Sequence, residues 1–170
     1  MDRHFIPDTE EEVIELASAK GLMLATAESI TAGDLAARIA DTPGASKVLA
    51  GGVVSYQDQV KSQLLGVSAQ LLAAQTAVDP EVAVQMAIGV RDRFARAMGM
   101  DREKMIGISA TGVAGPDPVG PKPVGEIYIG LSSARGDRVF VLSLSGTRAE
   151  IRSQVVSHAI DLLGEEISQF

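Results

Sequence analysis

The residues of this chain best suited to nucleophilic chemistry are a serine, a lysine and a tyrosine. Ser29 lies in MLATAESITAG, and Tyr56 and Lys61 lie in SYQDQVKSQLLGV. A serine hydroxyl becomes a nucleophile only with a base to take its proton and donors to hold the oxyanion that forms. Histidine is a poor candidate for that base. The chain has two: His4 near the N-terminus and His158 inside a C-terminal helical pattern, neither beside the end of a strand. A neutral lysine can serve, but an unperturbed ammonium, with a pKa of about 10.4, is neutral in only about 0.04% of molecules at pH 7. Lys61 therefore needs burial or a nearby positive charge to lower that value. Tyr56 is placed to share protons between Lys61 and Ser29. Each residue also has a structural reading: Ser29 as a helix cap, Lys61 as an exposed helix lysine, Tyr56 as a half-buried aromatic at a strand end.

Binding groups are sparser. The loop Thr111-Gly112-Val113-Ala114-Gly115-Pro116 has the small residues that let a backbone approach an anion. It lacks the Gly-Lys-Ser/Thr of a Walker loop and the spacing of a dinucleotide fingerprint. Arg148 falls in the first turn of a helix that Thr147 and Glu150 open as a capping box. There the helix dipole and a guanidinium can hold one phosphate together. The chain has no cysteine, which excludes thiol catalysis, disulfides and cysteine-based zinc sites. With no histidine pair and no carboxylates at ligand spacing, neither a metal nor a cofactor is expected.

The elements that must position these residues follow from periodicity and punctuation. Thr9 and Glu12 predict a helix that Gly21 stops, and Leu22 to Thr26 reads as a short buried strand. A helix over Ile30 to Ala40 begins close to Ser29, so its first free N–H groups, at Ile30 and Thr31, are the expected oxyanion donors. Val48 to Ser55 reads as a strand. Asp79-Pro80 opens a helix that runs to Gly99. Met105 to Ala110, Glu126 to Ser132 and Arg138 to Leu144 are further strands, the last two joined by a tight turn at Arg135-Gly136-Asp137. Arg91, Arg93, Arg96 and Arg102 read as a solvated helix face. This order predicts an α/β fold: a three-layer α/β/α sandwich with a mixed, mainly parallel five-stranded sheet and one antiparallel strand. Ser29, Tyr56 and Thr111-Gly112 then sit just past the ends of three strands, where such sheets gather ligands.

Bulk properties agree. At 170 residues the chain is expected to form one domain, 1–170, able to bury its own core. Hydrophobic residues reach 46% while aromatics are only 4%, a mix that suits helix-covered parallel strands. The formal net charge of -7 disfavours nucleic acid and anionic membranes as partners. With no apolar leader and no run long enough to span a bilayer, a cytoplasmic location is expected.

Together the motifs AESITAG, PGASKVLAGGVVSYQDQVKSQLLGV, ATGVAGP, KPVGEIYIGL and SGTRAEIR resemble the C-terminal domain of the CinA (competence/damage-inducible) proteins, in order from about Val13 to Leu163. Much of that family is similar to nicotinamide mononucleotide deamidase, which hydrolyses the pyridine carboxamide to nicotinate mononucleotide and ammonia in pyridine-nucleotide salvage. The resemblance implies that Ser29 is the nucleophile, with Tyr56 and Lys61 as its partners. It also implies that Thr111, Gly112 and Arg148 bind a small-molecule nucleotide substrate, and that the protein is a homodimer. A competence or DNA-damage accessory, or a nucleotide-binding protein without turnover, is the alternative. The family usually reads Glu-Ser-Cys/Leu-Thr-Gly-Gly, so Ala32 adds a methyl where the backbone is expected to approach substrate. The loop DPVGPKPVG replaces the usual diglycine run. Some members carry an N-terminal domain resembling a molybdopterin-binding fold, associated with pyrophosphatase activity. At 170 residues this chain is too short for it, so that activity is not expected.

Overall fold

Local signals place most elements where the sequence predicts them. The computed structural model describes residues 6, 7 and 9–170, so His4 lies outside the described residues. Helix α1, Glu10–Ala19, starts on the Thr9–Glu12 capping box. Strand β1 is Met23–Glu28 and strand β2 is Leu49–Val54, with helix α2, Asp34–Ala40, between them. Two short helices, α3 (Asp58–Leu65) and α4 (Ala69–Gln75), fill a stretch that the sequence pattern leaves without elements. Helix α5, Pro80–Met98, begins on Asp79, whose carboxylate accepts from the amides of Glu81 and Val82 at 2.8 and 3.3 Å. Strands β3 (Met105–Gly112), β4 (Glu126–Ser133) and β5 (Gly136–Ser143) precede helix α6, Arg148–Ser168, which opens on the Thr147–Glu150 box.

The five strands form one sheet in the order β2-β1-β3-β4-β5. The pairs β1–β2 and β1–β3 are parallel, while β3–β4 and β4–β5 are antiparallel. Strand β4 alone therefore runs against the others, as the hairpin signal requires. Side chains alternate across the sheet. Leu24, Ile106, Ile108, Ile127 and Ile129 meet Val13, Ile151, Val155 and Leu163 from α1 and α6 on one face. On the other face, Ala25 and Ala27 meet Leu65, Val82, Met86 and Val90 from α3 and α5.

Helix α5 lies unusually close to the sheet. A β-carbon on Gly107 would stand 2.2 Å from the Ala87 carbonyl oxygen, and one on Gly130 2.2 Å from that of Ala83. In that gap Ser109 donates to the Ala83 carbonyl at 2.6 Å and accepts from the Gly130 amide at 3.2 Å. This contact fixes the start of α5 against the end of β3 and so positions one wall of the site.

One of the four arginines corrects the sequence reading, while Arg93, Arg96 and Arg102 are exposed as expected. Arg91 is buried, only 1% exposed, and its guanidinium donates to the carbonyls of Met105 (2.8 Å), Ser133 (2.7 Å) and Arg102 (3.0 Å). The helix face that carries it packs on the sheet, so the charge is met by backbone carbonyls instead of water.

Candidate active site

The turn after β1 differs from the expected helix start. Residues 29–33 form a turn, and α2 begins only at Asp34. Ala32 (φ 52°) and Gly33 (φ 106°) are both left-handed there, and the chain reverses before the helix can start. Ser29 therefore does not cap α2. Glu28 does so from the preceding strand end. Its carboxylate accepts from the amides of Gly33 (2.9 Å), Leu35 (3.0 Å) and Ala36 (2.9 Å) and from the Thr26 hydroxyl (3.0 Å). Four donors fill the four acceptor sites of a carboxylate, so Glu28 is buried without an unmet charge.

This arrangement leaves Ile30 and Thr31 in the turn, ahead of the helix. The helix N-terminus is occupied by Glu28, so its dipole is not open to a ligand. Among the described residues, the amides of Ile30, Thr31 and Ala32 in the turn have no acceptor. The Ala32 methyl is on the exposed outside of the turn and Ala32 does not line the cavity. The alanine there bears on backbone strain, with φ 52° in the left-handed region.

The sheet's geometry brings the remaining residues together. The Ser29 amide donates to Ala110 at the end of β3 (3.0 Å), and the Ser55 amide donates to the Glu28 carbonyl (2.8 Å). A cavity of about 230 Å³ opens there, lined by Ser29, Ile30, Tyr56, Lys61, Thr111, Gly112 and Arg148. Of the residues the sequence singled out, Thr31 alone does not line it, being fully buried beside it in the chain. Ala77, Val78 and Asp117 also line the cavity; Asp117 begins the DPVGPKPVG loop, and nothing in the local sequence marks Ala77 or Val78. The Thr111 hydroxyl donates to the Ala77 carbonyl (2.8 Å), which joins the glycine loop to the segment before α5.

Lys61 projects from α3 and is fully buried, 0% exposed. Its ammonium donates to the Tyr56 carbonyl at 3.2 Å and lies 3.7 Å from Asp58, whose side chain is largely exposed. Burial pushes its pKa below the usual lysine value, against the smaller opposing pull of Asp58. That is the direction a lysine base requires.

Tyr56 contacts Arg148 through its side chain. Its hydroxyl accepts from Arg148 at 3.0 Å, and Arg148 also donates to the Gly115 carbonyl at 2.6 Å. The Tyr56 side chain thus orients Arg148 over the glycine loop, while its backbone carbonyl holds Lys61. No hydrogen bond within 3.5 Å joins its hydroxyl to Lys61 or Ser29 among the described residues. Two buried side-chain hydroxyls, of Thr31 and Ser55, have no hydrogen-bond partner. Both lie at this end of the sheet, just past β1 and β2.

A mixed-sheet α/β/α domain with a serine, a buried lysine and an arginine round one cavity at its strand ends is the class that fold and site define. Residues 7–167 match the CinA C-terminal domain, and the chain belongs to that family. It is 44% identical over 154 residues to a CinA-like protein of Frankia casuarinae, covering 91% of this chain and 34% of that one. It is 43% identical over 162 residues to a putative competence-damage inducible protein of Caldanaerobacter subterraneus, covering 92% and 36%. The chain thus spans about a third of the length of these curated relatives. Among solved structures, a CinA superfamily protein of Klebsiella pneumoniae superposes with a TM-score of 0.82 at 26% identity, covering 96% of this chain and 100% of that one. A competence/damage inducible protein of Agrobacterium tumefaciens superposes with a TM-score of 0.78 at 29% identity, covering 96% and 97%.

Among the described residues, no His, Cys, Asp and Glu side chains gather in threes to hold a metal. No described helix is long and apolar enough to cross a membrane.

Proposed function

We propose that this domain is an amidohydrolase that converts nicotinamide mononucleotide to nicotinate mononucleotide and ammonia. The observation that carries the reading is Lys61, a buried lysine with depressed pKa lining the same cavity as Ser29. Neutral Lys61, oriented by its bond to the Tyr56 carbonyl, takes the Ser29 proton as substrate enters. Ser29 Oγ attacks the carboxamide carbon, and the free amides of Ile30 and Thr31 receive the developing oxyanion. Lys61 returns the proton to the departing ammonia. Water, deprotonated by the same amine, then cleaves the acyl-serine ester and frees Ser29. Thr111, Gly112 and Arg148 hold the ribose-phosphate end, with Tyr56 keeping the guanidinium aimed at it.

The test is ammonia release from nicotinamide mononucleotide by the wild type beside Ser29→Ala. Release by the wild type alone, with both proteins folded, is the expected result. Near-wild-type turnover in Ser29→Ala would remove Ser29 from the chemistry. No release by either, with nucleotide bound, would replace the enzyme with a nucleotide-binding module.

A further inference from the structure

The turn that carries Ser29 is held from two sides by residues the chemistry above does not use. Glu28 holds its far end through the amides of Gly33, Leu35 and Ala36. On the other side Arg152, one helical turn after Arg148 on α6, reaches across to the turn's carbonyls. Its Nε donates to the Ile30 carbonyl at 3.0 Å and its Nη2 to the Thr31 carbonyl at 2.9 Å. The same Nη2 meets the Asp34 carboxylate at 2.6 Å, so the head is fixed in turn by the first residue of α2.

The peptide unit is planar and trans, so the N–H of each residue points away from the carbonyl before it. Drawing the Ile30 carbonyl, and the Thr31 carbonyl that also accepts from the Asp34 amide at 3.0 Å, toward α6 therefore turns the Thr31 and Ala32 amides away from it. These amides, with that of Ile30, are the ones left without an acceptor among the described residues. A two-pronged guanidinium suits the task, because it fixes two successive peptide planes at once. Ala32 sits in the left-handed region with φ 52°, a conformation a non-glycine residue holds only where its surroundings impose it.

We propose that Arg152 is a positioning residue: by holding the Ile30 and Thr31 carbonyls it sets the orientation of the Thr31 and Ala32 amides, the first of which is one of the two oxyanion donors assigned above. The inference rests on the Ser29 reading above for its catalytic consequence, though the orientation itself does not depend on the substrate.

The experiment uses Arg152→Met, with Arg152→Lys as the second variant should the first fail to fold, and has two readouts. The first is kinetic. With nicotinamide mononucleotide, kcat is expected to fall by about 10- to 100-fold, part of the 10²–10³ that a whole oxyanion donor supplies, with KM within about twofold. Millimolar guanidinium is expected to restore part of the loss in Arg152→Met. Unchanged kcat, or a loss carried by KM, would overturn the proposal. The second readout is a crystal structure of the variant. The Ile30–Thr31 and Thr31–Ala32 peptides are expected to rotate, and wild-type orientation in both would overturn the proposal. If the wild type releases no ammonia, the proposed function fails, and the crystal structure still decides the role of Arg152.

Discussion

Two cations are fully buried among the described residues, at opposite ends of the same sheet, and they are treated in opposite ways. Arg91, where β3 begins and β4 ends, is saturated. Its three nitrogens reach the carbonyls of Arg102, Met105 and Ser133 and the Ser132 hydroxyl, with Glu103 at 3.5 Å. Lys61, at the carboxyl ends of the parallel strands, has one carbonyl at 3.2 Å and one carboxylate at 3.7 Å. Burial lowers the pKa of both, yet a guanidinium stays protonated at any ordinary pH. An ammonium can respond by losing its proton. The lesson is that burial alone does not mark a functional charge. A buried charge whose bonding is complete holds structure together, and one whose bonding is incomplete can do acid–base work.

The sharpest way to break the comparison is to remove each cation in turn. Lys61→Met is expected to lower kcat/KM by about 10²–10⁴, the usual worth of a general base, while the thermal midpoint holds or rises because a desolvated charge has gone. A clear drop in midpoint would make Lys61 structural, like Arg91. Arg91→Met should do the reverse. It takes the guanidinium from the buried Met105 and Ser133 carbonyls, at about 1–3 kcal/mol each, so a loss of about 2–6 kcal/mol in a denaturant titration is expected, with activity per folded molecule unchanged.

The pH dependence sharpens the contrast further. Lys61 must be neutral to act, so kcat/KM is expected to rise with pH and level off below the pH at which an ordinary lysine would. Stability carries the same signature. Between the depressed folded pKa of Lys61 and about 10.4 in the unfolded chain, the unfolded state binds the extra proton, so Lys61 makes stability rise with pH in that window. Comparing denaturant midpoints of wild type and Lys61→Met across it isolates this contribution, and parallel curves would contradict it. Arg91 adds no such slope. The smallest expected effect is at Ala32. Ala32→Gly relieves a left-handed alanine and is expected to gain about 0.5–1 kcal/mol, measured as a raised midpoint, with KM unchanged because the methyl lies outside the cavity.

Much of this was legible in the sequence because it is local. The capping residues Thr9, Asp79 and Thr147 sit within three positions of the amides they serve, and the β4–β5 hairpin is signalled by its own turn. Ser29, Tyr56, Lys61, Thr111, Gly112 and Arg148 were legible as strand-end and helix-start residues, and they do line one cavity. The errors share a cause. A helix starting at Ile30 was the natural reading of an apolar periodicity, but it omits the turn that Glu28 stabilises from the preceding strand. Arg91 reads as a solvated arginine until the sheet is laid against its face of α5. The capped first turn in SGTRAEIR marks Arg148, but nothing there shows that Arg152 grips a turn more than a hundred residues away.

The sequence by itself determined the alternation of elements, the direction of the sheet's one reversed strand and the kinds of side chain gathered at its carboxyl edge. Tertiary structure alone decided their electrical state and their partners. Lys61 loses proton affinity only because α3 is folded under the sheet's edge, away from water. Tyr56 meets Arg148, and Arg152 meets Ile30, only because α6 returns to pack beside α2 and across β3. Helix and strand formation follow from short-range periodicity, whereas desolvation and contacts between distant segments exist only once the layers have packed.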